Sequence, residues 1–137
     1  MVLFRAKNLK INMDKTILVD GMGTIYNEEF QPNEKLLTIL NSFTNSKILV
    51  VNKFREKGSQ ALGKNISNSF SLEEQGINKN DPEYFKLLME KFDISPENLI
   101  YFEHNSENVE TASKLGIKSI HYTGNNNEIK LFLESNL

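Results

Sequence analysis

The chain has 137 residues, 39% of them hydrophobic and 25% charged; this fits one ordinary globular domain and excludes a disordered or collagenous chain. Sixteen Lys and Arg against eighteen Asp and Glu give a formal net charge of -2, so nothing draws the chain to phosphate backbones or anionic lipid, and neither nucleic acid nor membrane is an expected partner. The absence of cysteine excludes a disulfide framework, a thiolate nucleophile and a zinc-thiolate site.

Residues 1–12 read as a loose N-terminal extension. Their apolar start meets Arg5, Lys7 and Lys10 at once, so it provides neither a signal-peptide core nor a membrane span, and cytoplasm is the default location. Met13 directly precedes the first ordered-looking segment, and translation from Met1 or from Met13 would equally leave 13–137 as one core domain.

In chain order, residues 16–19 (Thr-Ile-Leu-Val) form a short apolar run ending at Asp20 before Gly21 and Gly23, the pattern of a buried strand and a turn. Residues 34–43 place Leu36, Leu37, Ile39, Leu40 and Phe43 on one helical face. A second strand covers 47–51 and ends at Asn52, and a short one is expected around 70–72. Residues 82–92 read as a helix with Asp81 as N-cap and a proline in its first turn. A strand over 99–102 ends at Glu103. The helix over 106–115 is capped by Asn105 or Ser106, has Asn108 in its first turn and is stopped by Gly116. A weaker strand over 118–122 and a helix over about 126–134 complete the chain.

Short apolar strands alternating with helices imply an open parallel α/β sheet covered on both faces. Ligands in such sheets lie beyond the carboxyl ends of the strands, where Asp20, Asn52 and Glu103 fall. The turn after Asp20 offers backbone amides that can cradle an anionic oxygen. Asp20 and Glu103 can share a hard cation such as magnesium. Lys79 can neutralise a phosphoryl group or hold a nucleophilic carboxylate, and an aspartate so placed can form an aspartyl-phosphate. Plainer readings stand beside these: an Asp-Gly pair is commonly just a turn, a lone lysine is usually solvated, a loop histidine such as His104 is usually structural, and His121 reads as packed or at a sheet edge.

Four segments together resemble the ordered motifs of the haloacid dehalogenase-like (HAD) hydrolase superfamily: Asp20-Gly21-Met22-Gly23-Thr24, Val51-Asn52, Lys79-Asn80-Asp81-Pro82-Glu83-Tyr84-Phe85, and the stretch from Phe102-Glu103-His104-Asn105 to Ala112. The resemblance implies a Rossmann-like three-layer sandwich with about five parallel strands in the order 5-4-1-2-3. It implies that Asp20 is the nucleophile, that Thr24 steadies its loop and that Lys79 balances its charge. Gly21, Gly23 and Asn52 are then on the substrate side. Asp20, the backbone carbonyl of Met22, Glu103 and the position of His104 correspond to the magnesium site.

Three positions depart from the pattern. Met22 stands where phosphatases of the superfamily carry a second aspartate as general acid, and a thioether cannot transfer a proton. Val51 replaces the hydroxyl residue that binds phosphate, and His104 replaces the second acidic metal ligand, although imidazole suits softer metals. Losing a general acid forfeits about 10² to 10⁴ in rate, roughly 3 to 5 kcal/mol of barrier. The short spacing from Thr24 to the helix at Glu34 leaves no room for a helical cap. A small open site would then take a phosphorylated small molecule or a phosphorylated macromolecule, or be covered by a second copy of the chain in a homo-oligomer.

Two functions follow. Asp20, Thr24, Lys79 and Glu103 favour a weak magnesium-dependent phosphatase acting through an aspartyl-phosphate on Asp20. Met22, Val51 and His104 favour a catalytically degraded HAD-fold protein with a binding or regulatory role. A phosphoryl-receiver-like module also uses a strand-end aspartate and a lysine, but the early Asp20 and the helix signal after Lys79 fit it less well.

Overall fold

The computed structural model describes residues 15–137; the extension expected over 1–12, and Met13, lie outside the described residues. Five strands, β1 (Thr16–Asp20), β2 (Lys47–Val50), β3 (Asn68–Phe70), β4 (Leu99–Glu103) and β5 (Lys118–His121), form one sheet in the order β3-β2-β1-β4-β5. Every pairing is parallel, and the order is the expected 5-4-1-2-3 read from the other edge. Among the described residues five helices flank it: α1 (Glu34–Asn41), α2 (Arg55–Leu62), α3 (Pro82–Phe92), α4 (Ser106–Lys114) and α5 (Asn126–Asn136).

The sheet is covered on both faces because its central strands are apolar on both. In β1, Ile17 and Val19 join a cluster with Leu36 and Leu40 of α1 and Ile129 and Leu133 of α5. Leu18, between them, faces the opposite cluster with Tyr84, Phe85 and Leu88 of α3 and Ala112 of α4. Each such fully buried aliphatic or aromatic side chain contributes about 1.5–3 kcal/mol relative to exposure, so neither face can be peeled away cheaply. The register sets Asp20 opposite Val50 and Val19 opposite Phe102. Asp20 and Glu103 therefore emerge side by side at the carboxyl ends of adjacent central strands.

Side chains cap four helix starts, those of α3 and α4 as expected and those of α1 and α5 (Asn125) in addition. The side chain of Asn33 caps α1, that of Asp81 caps α3 ahead of Pro82, and that of Asn105 accepts from the amides of Glu107 and Asn108 to cap α4. Two expectations need correction. The third strand lies at Asn68–Phe70 instead of around 70–72, because the register with β2 pairs Ile48 with Asn68 and Val50 with Phe70, while Leu72 bridges Ile77 in a turn. Helix α2 has no counterpart in the sequence reading, since it buries only Gly58 and Leu62 and so lacks an apolar stripe. Among the described residues no helix is long and apolar enough to cross a membrane.

Candidate active site

Asp20 closes β1, and the following turn holds its carboxylate in place. Thr24 Oγ1, itself buried, donates to Asp20 Oδ2 at 2.6 Å. The amides of Gly23, Thr24 and Ile25 bond within the turn, to Tyr26 O (2.9 Å) and, for the last two, to Gly21 O (3.0 Å each). These three amides stabilise the loop and are not left over to cradle a ligand. Gly23 has φ +92°, and a Cβ there would stand 2.8 Å from the His104 ring. Backbone conformation and the imidazole thus both demand glycine. A Cβ on Gly21 would meet the Tyr26 hydroxyl at 2.5 Å and Val51 Cγ1 at 2.6 Å, so Val51, buried, serves as packing beneath the turn.

Lys79 reaches the same point from the loop before α3. Its backbone N–H donates to Asn52 Oδ1 at 2.8 Å, which gives the strand-end asparagine a positioning contact. Its Nζ donates to Asp20 Oδ1 at 2.5 Å, Glu103 Oε1 at 2.7 Å and the Val50 carbonyl at 3.2 Å, engaging all three ammonium donors. Glu103, 0% exposed, also accepts from the Tyr101 hydroxyl on Oε1 and from the Asn105 amide on Oε2 at 3.0 Å. Tyr101 lies two residues before Glu103 on the same face of β4, a signal the sequence offered and the motif reading passed over. Tyr84 was likewise missed; its hydroxyl contacts the carbonyls of Val51 and Phe70 at 2.9 Å each and ties β2 and β3 to α3.

His104 completes the group. Its Nδ1 lies 2.5 Å from Asp20 Oδ2 and 3.1 Å from Glu103 Oε2, between the two carboxylates. His121, on the exposed edge strand as expected, places Nε2 2.8 Å from the His104 carbonyl oxygen. Hydrogen bonds to Asp20 and then Glu103 push the His104 imidazole up to about 10, against the opposing effect of burial, so it is a cation at neutral pH. Burial alone would lower the Lys79 ammonium, but the Asp20 and Glu103 carboxylates reverse this and hold it above its ordinary value. Burial would raise Glu103; the bonds from His104 and the charge of Lys79 outweigh it and hold the carboxyl well below the usual range. Two carboxylates and two cations sum to zero, the condition under which buried charges are tolerable.

This neutrality bears on magnesium. Ligand atoms of Asp20, Glu103 and His104 lie within 4.8 Å of one another, close enough to surround a single metal ion. However, a protonated nitrogen occupies the bridging position, and Asp20 Oδ2 and Glu103 Oε1 each already accept two protein donors or more. A hard divalent cation wants six or more oxygens and its own waters, and an imidazolium offers it no lone pair. The residues as arranged do not fit a resident magnesium ion.

Above the cluster opens a cavity of about 340 Å³ lined by Asp20, Met22, Tyr26, Val51, Asn52, Lys53, Phe54, Asn78, Lys79, His104, Asn105 and Asn108. Of the expected site residues, Asp20, Met22, Asn52, Lys79 and His104 face it. Thr24, Gly21, Gly23 and Glu103 support it from behind. Lys53, Phe54 and Asn78 were not anticipated.

No protein-family model matches the chain, and neither does any curated protein sequence. Solved structures do match. A predicted HAD-like family hydrolase from Porphyromonas gingivalis superposes with a TM-score of 0.70 at 13% identity, covering 88% of this chain and 98% of that one. The core domain of a protein inferred to be a phosphoglycolate phosphatase, from Streptococcus pneumoniae, gives 0.63 at 18% identity over 88% and 96%. An Asp12Ala mutant of a HAD family enzyme from Bacteroides thetaiotaomicron, in complex with magnesium and inorganic phosphate, gives 0.55 at 21% identity over 69% and 55%. The chain thus has a HAD-like fold.

Proposed function

We propose that this chain is a catalytically degraded HAD-fold protein that binds a phosphorylated small molecule over Asp20, in a binding or regulatory role, without efficient hydrolysis. The observation that carries the reading is His104 Nδ1 lying between Asp20 and Glu103. The imidazolium supplies within the chain the positive charge that a divalent cation would bring. Among the described residues its Nε2 has no partner, while the half-exposed ring lines the cavity, so it presents a charged donor to an anion. Lys53 at the rim adds a second cation. Asn78, Asn105 and Asn108 add amide groups to the lining.

The same geometry opposes turnover. Asp20 Oδ2 already accepts from Thr24 and His104, and Oδ1 from Lys79, which leaves one free lone pair on Oδ1 and weakens the carboxylate as a nucleophile toward phosphorus. Met22 at the pocket wall cannot protonate a leaving group. A second reading, a slow hydrolase, draws on Lys79 and Thr24 holding Asp20 as they would hold a nucleophile.

The two readings separate with p-nitrophenyl phosphate at saturating magnesium, parent against Asp20→Asn. We expect no turnover in the parent above the variant. In the double substitution Met22→Asp, His104→Asp, which returns a general acid and an oxygen ligand, a gain of about 10² to 10⁴ is expected. Saturable, magnesium-dependent turnover in the parent that disappears in Asp20→Asn would establish the hydrolase instead.

A further inference from the structure

The cavity over Asp20 has an apolar half that phosphate binding leaves unexplained. One wall is Phe54, 52% exposed; among the described residues only Leu131 is a comparably exposed large hydrophobic side chain. Its backbone is left-handed (φ 59°, ψ 41°), and it stands at the N-cap of α2 with no side-chain capping bond. Serine, threonine, aspartate or asparagine there would cap the helix, and glycine or asparagine would relax the backbone. Neither helix stability nor chain geometry therefore accounts for an aromatic residue at this position, and strain of this kind concentrates at ligand clamps.

A second aromatic residue at positive φ, Phe30 (60°), meets Phe54 edge to face with centroids 6.3 Å apart. Tyr26 lies against Phe30 at 5.4 Å, and Lys57 Nζ sits 5.8 and 5.9 Å from the centroids of Phe30 and Phe54. The inner end of this row is built in by small residues. A Cβ on Gly58 of α2 would stand 2.3 Å from the Tyr26 hydroxyl, and one on Gly21 2.5 Å from it. Two left-handed backbone positions and two close glycine contacts together hold three rings in a row from the Asp20 turn to the cavity mouth.

We propose that the site selects phosphate monoesters whose organic group is a flat aromatic ring, with the phosphate against His104 and Lys53 and the ring laid on Phe54. This rests on the phosphate-binding reading above. The cavity of about 340 Å³ is lined both by Lys53 and His104 and by Tyr26 and Phe54, so one small ligand can touch both halves. An aromatic ring gains from offset or edge contact with Phe54 through its quadrupole, a gain that a saturated ring of similar size does not share.

The test is titration of the intact protein, in EDTA, with phenyl phosphate, cyclohexyl phosphate and inorganic phosphate, followed by NMR amide shifts. Phenyl phosphate is expected to bind roughly tenfold more tightly than cyclohexyl phosphate. Phe54→Ala should erase that ratio while leaving the Kd of inorganic phosphate unchanged, and Phe54→Tyr should keep it. Phe54→Asn, which removes the ring but suits the left-handed backbone, should behave as Phe54→Ala and guards against loss of fold. Equal affinity for the two esters, or a ratio that survives Phe54→Ala, overturns aromatic selection and leaves phosphate binding standing. Failure of all three probes to bind overturns both.

Discussion

The floor of the cavity and its rim are built on opposite principles. On the floor, Asp20, Lys79 and Glu103 are nearly inaccessible, at 2%, 4% and 0%, and each engages its charged atoms with protein partners. At the rim, Phe54 is half exposed on a left-handed backbone, and the contacts that fix its ring are weak aromatic and cation–π ones. The contrast teaches that the floor is a closed electrostatic unit, in which no member can change alone. The rim is a surface whose side chain can be exchanged at little cost to the fold.

That difference breaks most visibly at Lys79. Lys79→Met keeps most of the apolar stem but leaves Asp20 and Glu103 facing each other with only His104 between them. Removing one side of a buried charge group costs about 3–5 kcal/mol, a large share of the roughly 5–15 kcal/mol that holds a domain together. Urea unfolding should show this loss, whereas Phe54→Ala should move the midpoint little. If Lys79→Met unfolds at the parent midpoint, the floor is not the closed unit described. A smaller effect is expected at Gly23. Gly23→Ala must adopt φ +92° and push its Cβ within 2.8 Å of the His104 ring, a strain of about 1–3 kcal/mol. Thermal melting should fall accordingly, and replacing His104 by a smaller residue should restore part of the loss. Equal destabilisation in both backgrounds would confine the effect to the backbone and leave the ring no part in it.

The floor was more legible in the sequence than the rim, for physical reasons. Buried parallel strands leave continuous apolar runs, and the polar residue ending each run marks the ligand edge; hence Asp20, Asn52 and Glu103 could be placed before any coordinates. Helix starts at Asp81 and Asn105 follow local capping chemistry. What the sequence did not reveal depends on contacts distant along the chain. Substituting histidine for a carboxylate at position 104 reads locally as a weakened metal site. Its position as a bridging cation depends on Asp20, 84 residues away. Helix α2 and Phe54 escaped because α2 presents almost no apolar period, and a left-handed N-cap carries no sequence signature when the residue is phenylalanine. The third strand was displaced because only its pairing with β2 fixes its ends.

The smallest effect tests the link between floor and solvent, which is His104. Its imidazole is pushed up to about 10 from an ordinary value near 6.5, so the folded state holds a proton that the unfolded state releases first. Because the folded value is the higher one, the stabilising contribution is complete below about pH 6.5 and declines as pH rises, vanishing above about 10. The side chain is about half exposed, 47%, and solvent screening limits the gain to the range of a surface pair, about 0–1 kcal/mol. The stability difference between the parent and His104→Gln should therefore be constant at acid pH and shrink steadily between about pH 7 and 10, while the absolute stability of both changes for other reasons. A difference that does not vary across that range would mean that His104 bridges the carboxylates as a neutral ring. The charge balance of the floor would then have to be met by a cation from solution, returning magnesium to the site.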